Sequence, residues 1–113
     1  MYTNTTGDLN TAVGREALYS NSTANNNTAV GFSSLRANTT GTPNTAVGMC
    51  SLHANTTGAD NVAIGYRALK LNTTTSSNVA VGVNSLANNV ASNNTAVGHS
   101  ALVANTTGAS NTC

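Results

Sequence analysis

The stretch Asn27-Thr28-Ala29-Val30-Gly31-Phe32-Ser33-Ser34-Leu35-Arg36-Ala37-Asn38-Thr39-Thr40-Gly41 decides the fold, because most of the chain is a variation on it. Its opening pentad also stands at Asn10, Asn44 and Asn94, and as Asn61-Val62-Ala63-Ile64-Gly65 and Asn78-Val79-Ala80-Val81-Gly82. The spacing is 17 residues, with 16 between Asn78 and Asn94. A fixed internal period marks units that stack on their neighbours to bury a face none can bury alone. The chain therefore reads as one solenoid domain, 1–113. It holds a partial unit 1–9, repeats 10–26, 27–43, 44–60, 61–77, 78–93 and 94–110, and a partial unit 111–113. The short repeat drops one residue from its Thr/Ser tail, where a loop tolerates the loss.

Each slot carries its own expectation. The fourth pentad position is Val13, Val30, Val47, Ile64, Val81 and Val97, β-branched throughout, and is expected to be a buried strand position. The second position interchanges Thr and Val and lies on the same strand face. Between them stand Ala12, Ala29, Ala46, Ala63, Ala80 and Ala96. These face the other way, and their uniform small size predicts a face that another backbone approaches closely. The slot Leu18, Leu35, Leu52, Leu69, Leu86 and Leu102 adds one large apolar residue per unit. Two Asn rows, beginning at Asn10 and at Asn21, are expected to form hydrogen-bonded ladders along the stack.

An all-β solenoid, a parallel β-roll of about six coils, is the architecture these slots predict. A helical solenoid fits poorly, since the unit is too short for two helices and Asn, Thr and Gly form helices weakly. Disorder, the usual fate of polar low-complexity chains, is opposed by the regular Val and Leu slots. Coils stacked about 4.8 Å apart give a rod on the order of 30 Å. Its open strand edges predict either a longer chain or end-to-end joining.

Composition excludes several functions. Four Lys+Arg against three Asp+Glu leave no basic stripe for nucleic acid and no polybasic membrane patch. No apolar run is long enough to insert in a membrane, and no leader pattern follows Met1. Cys50 and Cys113 are far apart in sequence, so a metal site is not expected, and Cys50 reads as an incidental or buried thiol. His53 and His99 lack carboxylate neighbours in sequence, and Asp8, Glu16 and Asp60 are isolated. Acid–base pairs, metal sets and phosphate-binding glycine motifs are all missing, so neither an enzyme nor a cofactor-binding protein is expected.

The pentads at Asn61 and Asn78 resemble the head repeats of trimeric autotransporter adhesins. Similar repeats occur in bacteriophage tail fibres and other bacterial surface fibres. The resemblance spans nearly the whole chain. It implies a parallel β-roll, association as a trimer and display on a cell surface or virion to bind a host. The adhesin unit is shorter, so this coil carries a longer turn. Stalk heptads and a membrane anchor are not present in the sequence.

Two surfaces are candidates for contact. Every Lys and Arg falls in three variable slots, two after the pentad Gly and one after the Leu. Arg15, Phe32, Tyr66, Arg67 and His99 occupy the first pair, and Tyr19, Arg36, His53 and Lys70 the third. This stripe is expected to face outward, toward solvent, a receptor, a glycan or a neighbouring subunit. The Ala row is the expected association face. The motif N-x-[ST] recurs at Asn4, Asn21, Asn38, Asn55, Asn72 and Asn105, and at Asn26 and Asn93, as candidate glycosylation sites. The expected function is a structural or adhesive module of an extracellular fibre, working as a homo-oligomer, either a trimer or an end-to-end filament. The alternatives are a short subunit of a self-assembling, glycosylated filament and an ice-binding solenoid.

Overall fold

The computed structural model describes residues 1–113 and is all-β. Six short strands, one per coil, are β1 (Thr11–Val13), β2 (Thr28–Val30), β3 (Asn44–Val47), β4 (Asn61–Ile64), β5 (Val79–Val81) and β6 (Thr95–Val97). They form one parallel sheet in chain order. Equivalent slots pair, as Ala29 with Ala46 and Ala63 with Ala80. The short repeat keeps this register, since Ala80 pairs with Ala96. The rod measures 37 × 21 × 17 Å, so its long axis exceeds the expected 30 Å somewhat.

Each strand ends at a glycine that the stack requires. Gly14 has φ +119°, and a Cβ there would lie 2.8 Å from the Gly31 carbonyl of the next coil. No side chain fits so close an approach, and few residues other than glycine adopt that backbone. Two β-turns follow. Ala17 N donates to Gly14 O at 3.3 Å and Asn21 N to Leu18 O at 3.3 Å, and the pattern repeats in later coils. Glu16, Ser33, Cys50, Arg67, Asn84 and Ser100 take φ between 54° and 62° in the first turn. The Leu slot is also left-handed, with φ between 47° and 50° from Leu18 to Leu102. A bulky residue at positive φ is uncommon. It persists where its surroundings over-determine it, here through bonds to the coil above, such as Leu35 N to Ser51 O at 3.1 Å.

The interior corrects the expected sidedness of the strand. Ala29, Ala46, Ala63, Ala80 and Ala96 are fully buried and pack in one cluster with Leu18, Leu35, Leu52, Leu69 and Leu86. Val13, Ile64 and Val97 are instead 56%, 40% and 61% exposed, and the other residues of their row are half-buried. A coil this narrow explains the reversal. The Leu side chain reaches across from the turn, so the sheet has room for one methyl group per rung. A Val there would overfill a close-packed interior.

Asparagine supplies much of the remaining core. Asn38 Nδ2 donates to Asn21 Oδ1 at 3.1 Å, Asn55 Nδ2 to Asn38 Oδ1 at 2.9 Å and Asn72 Nδ2 to Asn55 Oδ1 at 3.2 Å. In the second row, the Oδ1 of every Asn but Asn27 accepts from the backbone of the next: Asn61 N to Asn44 Oδ1 and Asn78 N to Asn61 Oδ1, both 3.0 Å. The amide of this row reaches the tail carbonyl of the same rung, as Asn44 Nδ2 does to Gly58 O at 2.9 Å. Both expected ladders are therefore present. Only Asn27 Oδ1 is buried without a partner.

Candidate functional site

The two turns after each strand put their variable side chains on one flank of the rod. In the slot after Leu, Tyr2 and Tyr19 stack with ring centroids 5.2 Å apart and planes 1° from parallel. The Arg36 guanidinium lies 5.3 Å above the Tyr19 ring, and His53 and Lys70 continue the row. Beside it, Arg15 lies over Phe32 at 5.9 Å and Arg67 over Tyr66 at 4.9 Å. The rows are cross-linked. Arg36 Nε donates to Glu16 Oε2 at 2.9 Å, and His53 Nδ1 lies 3.1 Å from Ser33 O. Bonds from Arg36 and Ser33 hold the Glu16 carboxyl below its ordinary value against desolvation, with lesser help from the Arg36 and Arg15 charges.

All nine residues expected in the contact stripe lie on this flank at least partly exposed. Tyr2, at 79% exposure, and Met49, at 47%, extend the same rows and were not singled out by the sequence reading. Tyr2 falls one period before Tyr19, which was the available signal. Both aspartates lie elsewhere, Asp8 and Asp60 at the bend that precedes the strand. Asp60 borders a shallow depression with Pro43, Asn44, Thr45, Asn61 and Val62.

The outer sheet face is the second surface. It carries Thr11, Thr28, Thr45, Val62, Val79 and Thr95 in one row and Val13, Val30, Val47, Ile64, Val81 and Val97 in the other. It bears no charge from end to end. The association face expected at Ala12, Ala29, Ala46, Ala63, Ala80 and Ala96 is not a surface, because Ala29 to Ala96 are sealed inside the coil and Ala12 packs against the same cluster.

The glycosylation slot is corrected as well. Asn21, Asn38, Asn55 and Asn72 are buried and their amide nitrogens are committed to the ladder. Asn105 and Asn4 lie nearer the surface, but their Nδ2 groups are bonded to Gly108 O at 2.8 Å and Gly7 O at 2.9 Å. A glycan on this slot would replace a ladder proton with a sugar. Asn26 and Asn93, which share a different slot, are the exposed exceptions.

No protein-family model matches the chain, and neither does any curated protein or solved structure.

Proposed function

We propose that this chain is a structural and adhesive module of an extracellular fibre, associating side by side through its outer sheet face. One observation carries the reading: a stiff rod presents two unbroken, uncharged rows of β-branched side chains along its length. The row from Val13 to Val97 is apolar throughout, and contiguous apolar area of this kind marks an interaction site. Association would remove Val13, Ile64 and Val97 from water, and the face needs no rearrangement to meet a copy of itself. Neither catalysis nor a cofactor enters this reading. Static light scattering across a concentration series tests it. The wild-type mass should exceed one chain, and Val47→Lys with Ile64→Lys should reduce it to one chain while β circular dichroism persists. A wild-type chain that stays monomeric at every concentration would overturn the reading.

A second reading, an ice-binding surface, has a specific observation in its favour. Thr11, Thr28, Thr45 and Thr95 project from one flat face at one-rung spacing, and Val62 and Val79 keep their shape between them. Thermal hysteresis measured on the monomeric double variant and the wild type separates the two readings.

A further inference from the structure

The flank opposite the aspartate bend carries an inference that does not depend on how the rods associate. We infer that it binds a linear acidic polysaccharide, bearing carboxylate or sulfate groups, laid along the rod axis. The first ground is charge segregation. Arg15, Arg36, Arg67 and Lys70 are all the Lys and Arg of the chain, and they share this flank with a single carboxylate, Glu16. That carboxylate is already engaged, by Arg36 at 2.9 Å and more loosely by Arg15 at 3.8 Å. Arg67 and Lys70 pair with no carboxylate, so their charge is available to a ligand. Asp8 and Asp60 stand on the other side of the strand and do not oppose an incoming anion.

The second ground is the aromatic company those cations keep. Tyr2 is stacked on Tyr19 and remains 79% exposed, so a rigid ring platform begins the row that ends in Arg36, His53 and Lys70. Phe32 and Tyr66 are exposed or half-buried beside Arg15 and Arg67. Rings offer flat apolar faces to the C–H faces of sugars, and cations offer partners to their acidic groups. Aromatic residues also bring contact area at little cost in side-chain ordering.

The third ground separates a polysaccharide from an acidic peptide. Backbone N–H and C=O groups along this flank are spent on bonds between coils, such as Ser20 N to Arg36 O at 3.0 Å and Ala54 N to Lys70 O at 3.1 Å. No strand edge is free there for a peptide to extend. Only side chains remain, repeating at about 4.8 Å per rung. A stiff, pre-extended polymer with regularly placed charges loses little freedom in lying along such a track, whereas a flexible peptide loses much. The few cations predict weak, salt-sensitive binding to a single rod and stronger retention where several rods engage one polymer.

The test uses the full chain over immobilised polygalacturonate, which carries carboxylates alone, and over dextran sulfate, which carries sulfates alone. Neutral dextran and poly-L-glutamate serve as comparisons. Retention on one or both acidic polysaccharides, released by salt, is expected, and the arm that retains more tightly names the group. Arg67→Gln with Lys70→Gln should weaken it about five- to thirtyfold, since two exposed charge contacts are lost. Tyr2→Ala should weaken it with no change in charge. Both variants alter exposed or half-buried side chains, and unchanged β circular dichroism checks that they fold. The inference is overturned if neither acidic polymer is retained, if neutral dextran is retained equally, if poly-L-glutamate binds as tightly, or if the double variant binds like wild type. None of these outcomes bears on the mass measured by light scattering, so the fibre reading and this one fail separately.

Discussion

Substitutions on the two faces of the sheet should differ sharply in cost. Ala63 is fully buried against the Leu row, whereas Val47 on the same sheet faces outward. Ala63→Val should therefore overpack the coil and cost about 1–3 kcal/mol, read as a lower urea midpoint. Val47→Thr should fall within about 0.5 kcal/mol of wild type in the monomer. The same inward-or-outward distinction governs chemistry at Asn. Asn26 and Asn93 are exposed, and no hydrogen bond ties their side chains, while the other six N-x-[ST] asparagines have their Nδ2 groups bonded. Incubation of the folded chain with an Asn-linked glycosyltransferase and its sugar-nucleotide donor should modify only these two sites, as mapped by mass spectrometry. Modification at Asn38 or Asn55 in the folded rod would contradict the ladder geometry.

At the scale of the coil, the ladder is the element that breaks most informatively. Asn55→Ala removes the bonds from Nδ2 to Asn38 Oδ1 and to Gly58 O, and the bond that Oδ1 accepts from Asn72 Nδ2. Gly58 O keeps a donor in Asn44, but Asn38 Oδ1 is left buried and unpaired. That orphan predicts a loss of about 1–3 kcal/mol in denaturant titration, against almost none for exposed Thr57→Ala. The repeat and its in-register stacking were legible in the sequence, as were both Asn ladders and the outward flank, because each follows from identical residues recurring at one spacing. The direction of the strand was not. Alternation says that Val62 and Ile64 share a face and that Ala63 takes the other, but not which face is inside. The usual rule puts the larger apolar residue in, and here the left-handed Leu69 has already filled that space. One signal was present: Thr and Val interchange in the second slot, as a half-exposed row permits, while the Ala slot never varies.

For the whole rod, stability is a sum over coils and their interfaces. Deleting residues 44–60 removes one complete period and would let Asn27 stack on Asn61 as it now stacks on Asn44. The shortened chain should retain its β circular dichroism per residue and melt at a lower temperature. Deleting residues 44–52 instead would place each downstream side chain out of phase, and the downstream coils should not fold onto the upstream ones. The direction of the hydrogen bonds has a mechanical consequence. Of 66 backbone bonds, 54 lie outside the strands, and most of those join one coil to the next along the axis. Tension applied to the chain ends along that axis concentrates on the few bonds at the peeling edge of the terminal coil, whereas each deeper junction shares the same load among all its bonds. A coil occupying about 4.8 Å of rod releases about 60 Å of chain when it peels away. A fibre built this way would yield to sudden load in repeated small steps, dissipating work at each, and would lengthen many-fold before its covalent backbone was strained.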